Sequence, residues 1–152
     1  MFRGKAKLSI DEKGRVAIPS SYRKRLMEME GCGGRLVVTT HWDGCLLIYP
    51  LPEWEIVEEH VRKLPNSKPA VRNLQRFLLG NAMDRDLDGQ GRLLIPPDMR
   101  ETAKLDGQAM LVAQGNKFEL WDEQRWEHLC NGVLEDPDAL AAGGDALDSL
   151  SI

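Results

Sequence analysis

Three cations stand close together near the start of the chain: Lys13, Arg15 and Arg23. Lys13 and Arg15 flank Gly14, and Arg23 follows Pro19 by four residues. A guanidinium is a planar, permanently charged fork that fits phosphate oxygens or the edge of guanine. A glycine before it lets the backbone approach a partner closely. The chemistry these types offer at this spacing is anion recognition, with a nucleic-acid backbone or base edge as the natural acceptor. A second reading is internal: Asp11 lies four residues before Arg15 and is placed to pair with it across a turn. Both readings can hold at once.

The pattern occurs twice. Asp11-Glu12-Lys13-Gly14-Arg15-Val16-Ala17-Ile18-Pro19 with Arg23 returns as Asp88-Gly89-Gln90-Gly91-Arg92-Leu93-Leu94-Ile95-Pro96 with Arg100. Six identities in thirteen positions share one offset of 77. A constant offset is the mark of an internal duplication, which must be read before any fold is assigned. The echo continues from Leu36-Val37-Val38 to Met110-Leu111-Val112, and from Trp54-Glu55 to Trp126-Glu127, as the offset slips to 74 and then 72. The second copy therefore has the shorter connections.

The elements that must position these residues follow from period and punctuation. Lys5 to Ile10 alternates polar and apolar and reads as a half-buried strand. Asp11 to Gly14 reads as a turn, and Arg15 to Ile18 as the returning strand. Ser20 or Ser21 is the expected N-cap of a helix to about Met29. A strand over Arg35 to Thr40, an Asp43-Gly44 hairpin and a strand over Cys45 to Tyr49 come next. Residues 51–64 and 70–79 read as helices on either side of a break at 65–69. The second copy repeats the order, with a strand at 82–87, a turn, a strand at 92–95, a helix from Pro96, a hairpin at 109–121 and a helix capped by Asp122.

Two short hairpins cannot bury a sheet alone, whereas two copies together can. The expectation is a mixed α+β fold with a mainly β core: two tandem hairpin units forming one pseudo-twofold small barrel with flanking helices. The expected organisation is a first repeat at 1–56, a helical connector at 57–81, a second repeat at 82–130 and an acidic, flexible tail at 131–152.

Charge is unevenly spread. The 152-residue chain has a net charge of −4, which by itself argues against a nucleic-acid partner. Residues 1–27 hold eight cations, including Arg3, Lys5 and Lys7, against two carboxylates, a local net of +6. Residues 131–152 hold five carboxylates and no cation. Such asymmetry points to one basic surface and one acidic tail. Residues 85–104 balance to zero, and Gln90 replaces Lys13, so the second copy is expected to bind phosphate less or to serve assembly.

Other chemistries find little support. Asp11 and Asp88 are turn residues, and no His, Cys or Ser stands in a triad-like pattern, which disfavours an enzyme. His41, His60 and His128 lack metal-site partners, so no metal or other cofactor is expected. Cys32, Cys45 and Cys130 show no paired spacing and read as reduced thiols. No apolar run nears the roughly 20 residues that span a bilayer, and no export signal is evident, so a cytoplasmic protein without membrane or small-molecule substrate is expected.

The N-terminal Met1-Phe2-Arg3-Gly4, the Asp-x-Lys-Gly-Arg-x-x-x-Pro-x-x-x-Arg pattern at 11–23 and its return at 88–100 resemble the MraZ family of bacterial transcriptional regulators. The resemblance covers residues 1 to about 130. That family is similar to the AbrB/SpoVT/MazE class of swapped-hairpin DNA binders. The resemblance implies a ring-shaped homo-oligomer that represses the division and cell-wall gene cluster by binding tandem short repeats of double-stranded DNA. It implies Lys13, Arg15, Arg23, Arg92 and Arg100 as DNA contacts, to which the basic strand adds Arg3, Lys5 and Lys7. The alternative is a MazE-like antitoxin that binds protein. Two hairpin copies and a short tail weigh against it.

Overall fold

The computed structural model describes residues 1–150. It divides into two compact units, Met1–Asp122 and Glu123–Ile152.

In the first unit, the alternating basic stretch forms β1 (Phe2–Ser9), and the motif's return strand forms β2 (Arg15–Ala17). Helix α1 (Ser20–Glu28) follows, then β3 (Arg35–Thr40) and β4 (Leu46–Pro50). Helices α2 (Leu51–Arg62) and α3 (Pro69–Gly80) connect the copies. The second copy supplies β5 (Met83–Asp86), β6 (Arg92–Leu94), α4 (Pro97–Thr102), β7 (Gln108–Gly115) and β8 (Phe118–Asp122).

Strand pairing carries the duplication into three dimensions. The main sheet runs β1-β7-β8-β4-β3-β5, and β2 pairs with β6 in a separate ribbon. Exchanging the two copies turns the first order into its own reverse. Each copy's opening strand therefore pairs with the other copy's hairpin: β1 with β7, and β5 with β3, all antiparallel. The ribbon places Val16 opposite Leu93, with Arg15 opposite Leu94 and Ala17 opposite Arg92. Val16 and Leu93 are equivalent residues, so the pseudo-twofold passes between them; both are fully buried.

The fold is mixed, with a mainly antiparallel sheet. The closed barrel expected from the duplication is not formed among the described residues. β1 and β5 lie at opposite edges of the sheet, and the ribbon is not hydrogen-bonded into it. The ribbon strands are three residues long because Pro19 and Pro96 follow almost at once, and proline lacks the N–H that would extend a ladder. Apolar side chains of both copies share one core, including Val16, Ile18, Leu36, Ile48, Leu93, Ile95, Leu111 and Phe118.

Helix starts differ from the sequence expectation. The N-cap of α1 is Pro19, with no side-chain cap, and Ser20 is already helical. Proline before the helix presets φ, which makes a serine cap dispensable. The connector packs on its own chain. The Thr39 hydroxyl donates to the Leu78 carbonyl at 2.6 Å, and Gln75 Nε2 donates to the Val61 carbonyl at 3.0 Å. Trp54 is buried against Tyr49, as its apolar spacing suggests. Trp42 stands 62% exposed at the β3–β4 hairpin, stacked on His41.

The second unit begins with α5 (Glu123–Glu135), longer than the helix expected to end near Cys130. A 3-10 turn at Pro137–Gly143 and α6 (Asp145–Asp148) lie within the acidic segment. Residues 151–152 lie outside the described residues. Among the described residues no helix is long and apolar enough to cross a membrane.

Candidate nucleic-acid interface

The two motif turns are built alike, bond for bond. In the first, Asp11 Oδ1 accepts the backbone N–H groups of Lys13 at 2.9 Å and Arg15 at 2.8 Å, and Oδ2 accepts Arg15 Nε at 2.7 Å. In the second, Asp88 Oδ1 accepts from the Gln90 and Arg92 backbones, both at 2.9 Å, and Oδ2 accepts Arg92 Nε at 2.9 Å. Gly14 and Gly91 donate back to the Asp11 and Asp88 carbonyls. These donors favour the charged carboxylate. The Arg15 backbone N–H chiefly, helped by the Arg15 side chain and Lys13, brings the Asp11 carboxyl down to about 2. The Arg92 backbone N–H likewise lowers Asp88.

The expected internal pair is therefore present, and it aims the outer part of the guanidinium. The carboxylate takes Nε and leaves both Nη groups of Arg15 and Arg92 for another acceptor. The side chains are 27% and 30% exposed. Lys13 and its counterpart Gln90 are exposed at the tips. Arg3, Lys5 and Lys7 alternate as exposed residues along β1 and project a basic row leading into the first turn. The equivalent positions to Lys7 and Ser9 on β5 are Asp84 and Asp86, so the second copy lacks that row.

Arg23 and Arg100 take a different role. Both are half-buried, and each crosses to the turn of the other copy. The Arg100 guanidinium lies over Gly14: a Cβ there would sit 2.6 Å from Arg100 Nε and 2.9 Å from the Ile95 carbonyl oxygen. The Arg23 guanidinium lies over Gly91 in the same way. Arg100 Nε donates to the Ile95 carbonyl at 3.1 Å, and Arg23 Nη1 makes a long bond to the Gln90 carbonyl at 3.4 Å. Backbone bonds tie the same places: Ile18 N–H to the Gly91 carbonyl, and Ile95 N–H to the Gly14 carbonyl. Glycine is required at both sites by close approach and by φ of 86° and 75°. The two tips are thus clasped into one rigid pair.

Arg15, Arg92, Lys13 and the β1 cations present polar atoms outward, while Arg23 and Arg100 sit behind the turns. Sequence reading missed Arg25 as a structural residue. Its Nη2 donates to the Met1 carbonyl at 2.6 Å, and its guanidinium covers the Phe2 ring at 4.8 Å. The aromatic set Phe2, Tyr22 and Phe118 packs there and has no counterpart in the second copy, but its members lie far apart in the chain and gave no local signal. Among the described residues no group of three His, Cys, Asp or Glu could hold a metal ion.

Fold and site together define a class: an internally duplicated protein of mixed helices and mainly antiparallel sheet, in which each copy's opening strand pairs with the other copy and the two Asp-x-x-Gly-Arg tips are clasped side by side. The family model described as "MraZ protein, putative antitoxin-like" matches residues 1–77 and again 78–141, dividing the chain where the duplication does. "Transcriptional regulator MraZ" of Thioalkalivibrio sulfidiphilus is 51% identical over 152 residues, covering all of both chains. The protein of that name from Pseudomonas aeruginosa is 53% identical over 135 residues, 88% of each chain. That from Methylococcus capsulatus is 50% identical over 136 residues, 90% of this chain and 88% of its own. The chain belongs to the MraZ family.

Proposed function

We propose that the protein is a sequence-specific, double-stranded-DNA-binding transcriptional repressor. Its target is the promoter of the division and cell-wall gene cluster, where a ring of identical subunits meets tandem short repeats. The observation that carries this reading is the pair of clasped tips, each offering a guanidinium whose orientation is fixed by its own aspartate. A fork held in place loses little freedom on meeting a phosphate or a guanine edge. Arg15, Lys13, Arg3, Lys5 and Lys7 form the principal contact surface, and Arg92 the secondary one. Arg23 and Arg100 hold the tips in position and reach DNA only as their half-exposed atoms allow.

Avidity supports a ring. One subunit has few outward cations, whereas linked subunits engage repeats of matching spacing with a large gain in effective concentration. Each neutralised phosphate contributes about 0.9 to the slope of log affinity against log salt. A gel shift with the region upstream of the protein's own gene, repeated across a salt series, tests the reading. A shift that weakens steeply with salt and disappears in Arg15→Ala is expected. Affinity that ignores salt, or an Arg15→Ala protein that binds as well as the parent, would refute it.

A further inference from the structure

The outer face of the β2–β6 ribbon is made by Arg15, Ala17, Arg92 and Leu94. Val16 and Leu93 point into the core, so alternation along each strand turns those four the other way. Arg15 stands directly opposite Leu94, and Arg92 opposite Ala17. The pseudo-twofold between Val16 and Leu93 exchanges the two arginines, and it exchanges Ala17 with Leu94. The face is thus symmetric in its guanidiniums and asymmetric in its apolar groups. Arg92 has a methyl group across from it, and Arg15 an isobutyl group.

Single exposed leucines are ordinary on a protein surface. Position sets this one apart. Leu94 is 43% exposed, while its neighbours Leu93 and Ile95 are fully buried. The ribbon does not need leucine there, because alanine serves at the equivalent place in β2. Directly opposed side chains stand about 5 Å apart at Cβ. Leu94 therefore lies beside the guanidinium that Asp11 holds by Nε, and on the same face.

The major groove of DNA is roughly 12 Å wide and admits a two-stranded ribbon. Among the bases only thymine shows a methyl group there, at C5, and apolar side chains touch it. Leucine has no hydrogen bond to offer a phosphate or a base, so the methyl is the feature it can read. Base pairs are stacked about 3.4 Å apart. A side chain about 5 Å from Arg15 falls one or two base pairs from the one that Arg15 meets.

We propose that Leu94 is a specificity-determining residue that packs on the C5-methyl of a thymine close to the base pair met by Arg15. The inference rests on the DNA-binding reading and deepens it. The charged tip is then composite, with its guanidinium from the first copy and its apolar contact from the second.

The test removes the methyl from the DNA before touching the protein. In the duplex from upstream of the protein's own gene, thymines are replaced one position at a time by deoxyuridine, which keeps every base-pairing group. Binding of the full-length protein is followed by fluorescence anisotropy. Uracil at one position of a repeat should weaken binding by about fourfold, the scale of one buried methyl group. Leu94→Ala should lose a similar factor on the thymine duplex and nothing further when uracil replaces that thymine. A parent protein that tolerates uracil everywhere would overturn the proposal and leave DNA binding standing. So would a Leu94→Ala protein that still responds to uracil, since the effect would then come from DNA shape. A Leu94→Ala protein of lower mass in solution, with a parent indifferent to uracil, would place Leu94 between subunits instead. Failure of the parent to bind the unmodified duplex would refute the DNA reading itself, and this inference with it.

Discussion

The two tips share a scaffold and differ in what they present. Both turns have the same aspartate bonds, the same positive-φ glycine and the same crossing arginine. Lys13, Lys7, Ser9 and Lys5 of the first copy are matched in the second by Gln90, Asp84, Asp86 and Ala82. The difference teaches that the bonds within and between turns constrain geometry, while side chains pointing away from them are free to set the charge. A duplicated binder can thereby keep two rigid tips and specialise one of them.

The largest effect should come from removing the guanidinium at the charged tip. Arg15→Ala is expected to cost at least about 1–3 kcal/mol of DNA binding per subunit, multiplied by avidity in an oligomer, and Arg92→Ala less. Equal losses in a filter-binding assay would break the asymmetry. Next, Gly14→Ala and Gly91→Ala should each destabilise the fold by roughly 1–3 kcal/mol, from strained φ and from displacing the arginine that lies over the glycine. Chemical denaturation should give similar values for the pair, because the scaffold is the shared part. A third change sharpens the contrast: Gln90→Lys should raise the salt slope of DNA binding by about 0.9 per tip engaged. An unchanged slope would mean that the second tip does not face DNA.

The smallest effect concerns pH. Asp11, at about 2, and Asp88, lowered likewise, titrate below the ordinary carboxylate value of 3.8. Their contribution to stability is complete above the unfolded value and is lost as pH falls through the folded one. Melting temperature should therefore drop between about pH 4 and 2, less steeply in Asp11→Asn. A variant whose acid sensitivity equals the parent's would remove Asp11 from the account.

The turns were legible in the sequence because their bonds are local. Asp11 reaches only to Lys13 and Arg15, and the spacing alone implies the pair. The duplication was legible because one offset fits six residues. The clasp was not, since Arg23 meets a carbonyl 67 positions away and nothing local marks that partner. Closure of the sheet was misjudged for a related reason: the number of strands is written in the periodicity, but which edges meet depends on contacts far apart in the chain. The tail's short helices escaped a compositional reading, because Ala and Leu within an acidic stretch support helix as readily as they accompany disorder.

The exchange of β1 and β5 has an ancestral corollary. A polypeptide cut between the copies would leave each half with a hairpin missing its neighbour strand, and with half of the ribbon centred on Val16 and Leu93. Such a half could complete itself only by borrowing from a twin. Before the gene was doubled, the progenitor would have been an obligate pair of short chains, and fusion made that partnership permanent while freeing each half to mutate alone.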